Sequence, residues 1–443
     1  MRLLYRTSLT LLTKRLEFLN ISRGFLCLAL GLLCTPSYGQ NELRVQANQY
    51  QAQIDSLGGN YENGSSEVFL SLAGVQMQLG DYEQANHNFR EAIQSLRVTQ
   101  GLYSEGQLAI VKRFNEALRQ QQNWEQLDSN LHLAKHMASK LFDQQDSRYV
   151  ETAIDLATWK IKAYQAAIYR AGDDRSVQEA AKIYENLIQA LPEGQPDSDA
   201  KRADYFAAQG LAYYYSAQYV ADLDLDEFKA NVPATGAQLQ CYPLVMSADG
   251  PQPVRSACQG ADASDPEIFA AQQRAKNDTV RRHIASMRRS FALAVDTLEK
   301  QASVSPHVMA NAILRLGDAG LLAQDYVRAN TQYAKAWELL SVDGESQALR
   351  DQLMGSPVQV MQDVLDDYFV SELGGNNAFH GTISFEVSSR GEIRDIGIKG
   401  SDADLVKENL GAIAIKLDQT AFRPKIELGK PVSSRLVLDV SQL

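Results

Sequence analysis

Two histidines one helical turn apart are the first residues in this sequence whose spacing could bind a metal ion. His132 and His136 lie in the segment LHLAKHMA and would share one face of a helix, a spacing found in zinc sites. No glutamate occupies the position that a zinc protease needs. Because the helical periodicity also places both histidines on an outer face, we predict no metal site here.

A cluster of aspartates resembles the start of a calcium-binding loop. Asp222, Asp224 and Asp226 alternate in ADLDLDEF, but the sixth position carries Glu227 instead of glycine and the twelfth carries Pro233 instead of glutamate. The segment is therefore typical of a solvated acidic helix end. Because we also find no nucleophile elbow, phosphate loop or Cys-His constellation, the sequence predicts a protein that is not an enzyme, with no cofactor and no metal.

Four arginines in VRRHIASMRRSF recur at a seven-residue spacing: Arg281, Arg282, Arg288 and Arg289. This spacing aligns four guanidinium groups along one helical stripe, which could receive a carboxylate-rich protein partner. The alternative is that the arginines pair with acidic side chains of neighbouring helices in the same chain. We treat the stripe as a candidate partner-binding surface.

Two of the four cysteines lie in a stretch rich in Pro, Gly, Ser and Ala at about 231–266. Cys241 and Cys258 form an even pair in a loop-like segment of an exported chain, which predicts one disulfide. The alternative is two unpaired thiols, because sequence does not fix their geometry. The stretch is predicted to project from a helical body, either to bind a partner or as a loop tied to limit fraying.

The first 39 residues carry a targeting pattern. Basic residues precede the short apolar run Phe25 to Leu33, and small residues follow at Ser37 and Gly39. We predict a signal peptide at 1–39 that is cleaved after Gly39. Two alternatives are a lipoprotein with Cys34 as the lipidated residue, and an uncleaved anchor that holds the chain in the inner membrane facing the periplasm.

The net charge of the chain limits the classes of partner that it is expected to bind. The 443 residues are 45% hydrophobic and 22% charged, with a net charge of −11, and they are enough for two or three domains. The predicted leader carries more basic than acidic residues, so its removal makes the chain more acidic. We therefore predict no nucleic-acid partner, and membrane contact only if the N-terminal segment is retained.

Helical periodicity begins at Glu67, after a polar segment at 40–66 that is predicted to be a flexible lead-in. The stretch EVFLSLAGVQMQLGDYEQANHNFREAIQSL predicts two amphipathic helices joined at Gly80 and Asp81. Small residues, Ala73, Ala85 and Ala92, fall where the two helices must approach closely. The same offsets return in ANAILRLGDAGLLAQDYVRANTQYAKAWELL.

This recurring helix pair resembles the tetratricopeptide repeat, a helix-turn-helix unit that stacks with its neighbours. The resemblance implies a degenerate helical solenoid over 67–350, with a groove that binds a protein or peptide. Residues 351–378 are predicted to form a further helix, from Val358 to Leu373, and a linker.

The sequence pattern changes from a helical to a strand period at about residue 379. Ile383, Phe385 and Val387 alternate with polar residues, and a second strand, a helix at Asp402 to Leu417 and a last strand follow. This order predicts a small α+β domain over 379–443. The chain as a whole is thus predicted to be mostly α, with one small α+β domain at its end.

The terminal segment is similar to the C-terminal domain of the energy transducer TonB. The motif residues that carry the similarity are Phe422, Arg423, Pro424, Gly429, Pro431 and Val432. The resemblance implies a Gram-negative periplasmic location and an envelope partner that docks on these residues and on Arg435, Leu436 and Leu438. A long Pro-rich spacer, which an energy transducer needs to cross the periplasm, is missing from the sequence.

These features together predict a periplasmic scaffold for protein–protein interaction. Its helical groove would bind one protein or peptide, and its TonB-like domain would dock a second partner of the cell envelope. The alternative is a membrane-tethered accessory or energy-transducing component of TonB-dependent outer-membrane transport.

Overall fold

The computed structural model describes most of the chain. The described ranges are 36–57, 64–165, 175–192, 194–225, 266–301, 303–342, 344–361, 381–400 and 421–439, with Glu62, Ile168, Phe228 and four short strands within 240–257. The predicted signal peptide therefore lies almost entirely outside the described residues.

The described residues are mostly helical, which confirms the predicted fold class at this level. They form twelve α-helices: α1 Pro36–Ser56, α2 Ser65–Leu79, α3 Tyr82–Gln100, α4 Glu105–Gln120, α5 Trp124–Leu141, α6 Ser147–Gln165, α7 Arg175–Ala190, α8 Pro196–Asp222, α9 Pro266–Glu299, α10 Pro306–Leu322, α11 Tyr326–Leu339 and α12 Gly344–Met354.

The strands are short and pair in an antiparallel manner. They are β1 Gln240–Cys241, β2 Leu244–Ser247, β3 Gly250–Pro253, β4 Ser256–Ala257, β5 Val358–Gln359, β6 Gly381–Val387, β7 Ile393–Gly400, β8 Phe422–Arg423, β9 Lys425–Glu427, β10 Lys430–Val432 and β11 Ser434–Asp439. The described pairs are β1 with β4, β2 with β3, β5 with β8 and β9 with β10, together with a three-stranded sheet in the order β11-β6-β7.

The chain divides into two compact units, Met1–Asn123 and Trp124–Leu443. In the described part of the first unit, α2 and α3 form the hairpin that the sequence predicts. Gly80 ends α2 in the left-handed conformation (φ 78°), and the carboxylate of Asp81 accepts a hydrogen bond from the backbone N–H of Gln84 at the start of α3. Ala73 and Ala85 are completely buried where the helices meet.

The predicted flexible lead-in at 40–66 is wrong for most of its length, because α1 occupies Pro36–Ser56. The segment is rich in Gln, which favours a helix, although its apolar face is narrow. Ile54 is buried and α1 packs against α2, so one apolar anchor and good helix formers are sufficient to order this polar segment.

In the second unit, α10 and α11 form the other hairpin predicted from small residues. Gly317 lies so close to the ring of Tyr333 that a Cβ added there would be 2.6 Å from Cε1. One turn later, Gly320 lies against the backbone of Ala329. Tyr333 is completely buried as a result, so the two glycines set the distance between the helices.

The chain after α12 differs from the prediction. The expected helix from Val358 to Leu373 does not begin there, because Val358–Gln359 form β5 and pair with Phe422–Arg423 of β8. Gly355 and Pro357 end the preceding helix, and the β-branched residues that follow favour a strand. Residues 362–380, the remainder of the predicted helix and linker, lie outside the described residues.

The terminal sheet has the alternation that the sequence predicts. Ile383, Phe385 and Val387 of β6 are completely buried and pack with Phe422, while Leu436 and Leu438 of β11 cover the same core. The predicted helix at Asp402 to Leu417 lies outside the described residues. Since β6 is the middle strand, β11 and β7 are the two edges of this sheet as far as the structure describes it.

Candidate functional site

A groove of about 300 Å³ lies between α6, α7 and α8 in the second unit. Val150 and Ile154 of α6, one turn apart, form one apolar side, and Leu187 and Leu191 at the end of α7 form the other. Since these helices neighbour one another in the stack, their facing side chains leave a cleft rather than a closed core. The groove therefore offers an apolar surface that a side chain of another molecule could cover.

Charged side chains lie beside this apolar surface. Glu151 and Asp155 follow Val150 and Ile154 in the sequence of α6, so that the two carboxylates stand one helical turn apart along the groove. Lys201 of α8 contributes the one cationic side chain among the lining residues. The lining consequently carries a net negative charge beside its apolar wall.

Tyr205 of α8 completes the lining as a neutral group. Burial raises the pKa of its phenol above the ordinary value, and the Asp204 carboxylate next to it acts in the same direction. Its ring lies 6.3 Å from the ring of Tyr184, whose pKa burial also raises. Tyr205 therefore lines the groove as an uncharged aromatic side chain at physiological pH.

A second charged cluster lies across α5, α6 and α7. Lys160, buried on α6, places its Nζ 2.8 Å from Asp128 Oδ1 and 3.7 Å from Glu179 Oε2. Trp159 Nε1 donates a hydrogen bond of 2.8 Å to the same Asp128 oxygen, and His132 Nε2 lies 3.6 Å from Glu179 Oε2. The ammonium of Lys160 thus lies between two carboxylates where three helices meet.

This cluster shows where the histidine pair of the sequence lies. His132 is part of the cluster and His136 lies on the exposed face of α5. Within the described ranges, no group of three His, Cys, Asp or Glu side chains could hold a metal ion. The cation between the carboxylates is that of Lys160, and the cluster holds three helices together.

The arginine stripe lies on α9 and is divided between two environments. Arg288 approaches Asp325 at 3.5 Å, which is the internal pairing that the sequence left open. Arg281 and Arg282 are exposed and contact their own helix, at Asp278 and Thr279 respectively. Arg289 is also exposed. Three of the four guanidinium groups therefore remain on the surface.

Only one of the two predicted disulfide partners can be placed. Cys241 belongs to β1 and stands opposite Ser256 of β4 in an antiparallel pair. Cys258 lies outside the described residues, so the disulfide remains a prediction. The register nevertheless places the backbone of Cys241 beside that of Ser256, two residues before Cys258.

Several motif residues of the terminal domain are buried and contact other residues of the same chain. This corrects their assignment to partner docking. Phe422, Arg423, Pro424 and Gly429 are buried. Arg423 donates to both oxygens of Asp318 on α10, with Nε at 2.7 Å from Oδ1 and Nη2 at 2.6 Å from Oδ2. Gly429 packs against Ala334 and Trp337 of α11. These residues join the terminal domain to the helices that precede it.

The remaining predicted docking residues divide by their position on the sheet. Leu436 and Leu438 are partly buried and cover the sheet core, and Pro431 and Val432 are half-buried. Arg435 is exposed on β11, together with Val437, whose exposed fraction is 61%. Edge strand β11 is therefore the part of the predicted docking surface that solvent reaches.

The sequence did not identify the groove. Its residues come from three helices and belong to no spacing motif. A signal was present in SRYVETAIDLATW, where carboxylates directly follow apolar residues at the same helical spacing.

Comparison with known proteins adds little to these observations. No protein-family profile matches the sequence, and no curated protein is significantly similar to it. Among solved structures, the crystal structure of BtubC (BKLC) from P. vanneervenii aligns with a TM-score of 0.32 and 12% sequence identity, over 68% of this chain and 87% of that chain. A similarity of this size carries no conclusion about fold or function.

No helix in the ranges that the structure describes is both long enough and apolar enough to cross a membrane.

Proposed function

We propose that this chain is a non-enzymatic scaffold of the Gram-negative periplasm, in which a tetratricopeptide-like helical body binds a protein or peptide and a TonB-like terminal domain docks a second partner of the cell envelope. The observation that carries the proposal is the groove between α6, α7 and α8, with its apolar wall and its row of carboxylates. Such a mixed surface is typical of sites that hold side chains of another protein.

The two helical hairpins support the tetratricopeptide assignment, because they share the same helix cap and the same buried small residue. Asp81 and Asp325 each cap the second helix of their hairpin by accepting a hydrogen bond from the backbone N–H three residues later. Ala85 and Ala329 follow at equal offsets and are completely buried against the first helix. Repetition of a cap and a small contact residue is expected of related repeat units.

The edge position of β11 supports docking at the terminal domain. Strand β11 pairs with β6 on one side, and no other described strand pairs with it. An edge strand can accept an extended segment of a partner by main-chain hydrogen bonding. The alternative function, a membrane-tethered component of TonB-dependent transport, depends on an anchor in residues 1–34, outside the described ranges.

Site-specific photo-cross-linking in the source bacterium tests the scaffold. A photoreactive residue is introduced at Ile154 in the groove, at Val437 on β11, and at Val327, an exposed valine outside both surfaces, as the matched control. We expect protein adducts at Ile154 and Val437, recovered in the periplasmic fraction, and none at Val327. Absence of adducts at both test positions, or the same adducts at Val327, would contradict the proposal.

A further inference from the structure

We infer that the arginine stripe of α9 binds an acidic helix of a protein partner, one whose carboxylates recur every seven residues along one face. The stripe shares no residue with the groove or with β11, so this third binding surface goes beyond the proposed function. The evidence is the positive charge that the arginines keep after their own contacts, the distance between them and the small side chain that separates them.

The packing of α9 fixes the direction in which the stripe points. Met287 and Phe291 are buried on the far side of the helix, where a Cβ added to Gly210 of α8 would lie 2.9 Å from Cζ of the Phe291 ring. Arg282 and Arg289 are exposed. Because α9 is one continuous helix, both guanidinium groups project from a regular backbone on the side away from α8.

The contacts of two stripe arginines leave part of their charge in place. Arg281 lies 3.7 Å from Asp278, and both side chains are largely exposed, so that water screens this contact. Arg288 shares the carboxylate of Asp325 with Arg328 of α11, at 3.5 Å and 3.3 Å respectively. Two carboxylates therefore stand against three guanidinium groups at these contacts.

The other two arginines carry charge that no carboxylate offsets within the described residues. Arg282 donates a hydrogen bond of 2.8 Å to the hydroxyl of Thr279, which is neutral. Arg289 is exposed and makes no hydrogen bond or ion pair in the described part of the chain. The stripe with Arg328 thus holds three more guanidinium groups than carboxylates, although the net charge of the whole chain is −11. An acidic surface is the complement of such a patch.

The distance between the arginines favours a helix as the occupant. Seven residues of α-helix advance about 10.5 Å and return to nearly the same face, so Arg282 and Arg289 stand in line at this separation. Glutamates seven residues apart in a partner helix match it. In an extended segment, at about 3.3 Å per residue, three residues cover the same distance and place the two side chains on opposite faces. A nucleic acid or an anionic membrane would also extend over the acidic remainder of the chain, which repels it.

A small side chain lies between the two exposed arginines. Ala285 is itself exposed and lies one helical turn from each, three residues after Arg282 and four before Arg289. Ala292 continues the same line and is also exposed. Because alanine projects only a methyl group, a partner helix can approach the backbone of α9 between the guanidinium groups. Each guanidinium can then bind a carboxylate through two parallel hydrogen bonds.

Three labelled helical peptides test the inference by fluorescence anisotropy with the full chain at low salt. The first contains three copies of the heptad Glu-Ala-Ala-Gln-Ala-Ala-Ala, which keeps its glutamates in line. The second has glutamine in place of each glutamate, and the third has the composition of the first with its glutamates five residues apart, which distributes them around the helix. The first peptide should bind roughly ten-fold tighter than the other two, and this preference should decline as salt is added. Equal affinity for the first peptide and either of the others overturns the inference.

Variants of the stripe locate the binding. Arg282→Gln with Arg289→Gln should remove the preference for the first peptide. The control is Arg44→Gln with Arg97→Gln, which removes the same charge from exposed positions of α1 and α3 and should retain the preference. Ala285→Glu builds a carboxylate within reach of both arginines and should compete with the peptide, weakening it roughly ten-fold. A preference that survives the first variant or that the control loses, or an affinity that Ala285→Glu leaves unchanged, contradicts the site.

Vesicles of phosphatidylglycerol and phosphatidylcholine test a membrane as the other source of negative charge. Sedimentation of the full chain with these vesicles should be the same with and without Arg282→Gln and Arg289→Gln. If the two substitutions abolish sedimentation, and the peptides bind with equal affinity, the stripe binds a membrane and the inference is wrong.

Photo-cross-linking separates this inference from the scaffold function. A photoreactive residue at Ala285 should give a protein adduct that disappears when Arg282→Gln and Arg289→Gln are added. If adducts form at Ile154 and Val437 but not at Ala285, the inference alone fails. If adducts are absent at Ile154 and Val437, the scaffold proposal fails, whereas an adduct at Ala285 that depends on the arginines still supports the inference.

Discussion

Arg423 and Asp318 form a bidentate ion pair that is almost fully buried, although 105 residues separate them in the sequence. The exposed fractions of their side chains are 6% and 2%. Asp318 Oδ1 also accepts a hydrogen bond of 3.0 Å from the hydroxyl of Tyr333, and Arg423 Nη1 donates to the carbonyl of Leu353. The pair links α10, α11, the end of α12 and β8 through one carboxylate and one guanidinium.

Removal of one partner of this ion pair should destabilise the second unit strongly. In Arg423→Ala the carboxylate of Asp318 remains buried without its cation, and the expected loss is about 3–5 kcal/mol in the free energy of unfolding. Urea unfolding followed by circular dichroism measures it. The control is Arg328→Ala, whose side chain is 70% exposed beside Asp325 and should contribute less than about 1 kcal/mol.

A paired replacement separates the cost of an unpaired charge from the value of the pair itself. Asp318→Leu combined with Arg423→Met removes both charges and fills similar volume, so most of the stability lost in Arg423→Ala should return. Tyr333 still loses the acceptor of its hydroxyl, which limits the recovery. If the double variant is less stable than Arg423→Ala, the loss of stability in Arg423→Ala is not caused by burial of an unpaired carboxylate.

A methyl group at Gly317 should disrupt the α10–α11 hairpin. The added Cβ would lie 2.6 Å from the Tyr333 ring, which is completely buried and held by Asp318, so the ring has no room to move. We expect Gly317→Ala to lower the stability by about 1–3 kcal/mol. Thermal unfolding monitored by helical circular dichroism provides the measurement.

Gly74 in α2 provides the matched control for this substitution. Nothing lies within 4 Å of a Cβ built at Gly74, and the residue is inside a helix. Gly74→Ala should therefore be neutral or stabilise the protein by about 0.5–1 kcal/mol, because alanine is the better helix former. A loss of stability in Gly74→Ala as large as that in Gly317→Ala would show that contact with Tyr333 is not the cause.

Buried tyrosines should make the protein unstable at alkaline pH. Burial raises the pKa of Tyr214 to about 12, and burial raises the pKa of Tyr164 and Tyr333 still further, with the carboxylates of Asp222 and Asp318 adding to the respective effects. The unfolded chain releases these protons near pH 10. Their contribution to stability is therefore complete below about pH 10 and is lost as the pH rises toward the folded values.

Tyrosinate absorbance and helical circular dichroism, recorded together between pH 8 and pH 13, check this expectation. We expect the buried phenols to ionise in one cooperative step that coincides with the loss of helical signal. A gradual titration centred near pH 10, with the helical signal intact, would mean that these hydroxyls are accessible to solvent in the folded protein.

Local sequence patterns predicted the elements whose partners lie nearby. The α2–α3 and α10–α11 hairpins follow from small residues at Ala85 and Ala329 and from the turns before them, because both helices of each pair lie within about 35 residues, the length of one such repeat. In both hairpins the pattern and the contact that it serves are close in the sequence. The alternation in β6 predicted its buried face for another reason: the side chains of a strand alternate between its two faces, wherever the residues that cover them lie in the sequence.

The features that the sequence did not predict depend on distant partners. Arg423 was placed on a docking surface as a motif residue of the TonB-like domain, and an arginine is rarely buried unless it is paired. Its pair, Asp318, shows no local signal of that role. Strand β5 is only two residues long and forms against β8, so periodicity could not detect it. The groove requires three helices at once.

The distance along the chain between Asp318 and Arg423 also has a consequence for biosynthesis. The helix that carries Asp318 leaves the ribosome long before Arg423 is made, and until then its carboxylate has no cation and stays hydrated. A contact in the interior of the second unit is therefore completed only after Arg423 has been synthesised. A chain that stops before Arg423, or is trimmed past it before it folds, keeps an unmatched carboxylate in the interior and becomes a substrate for cellular proteases.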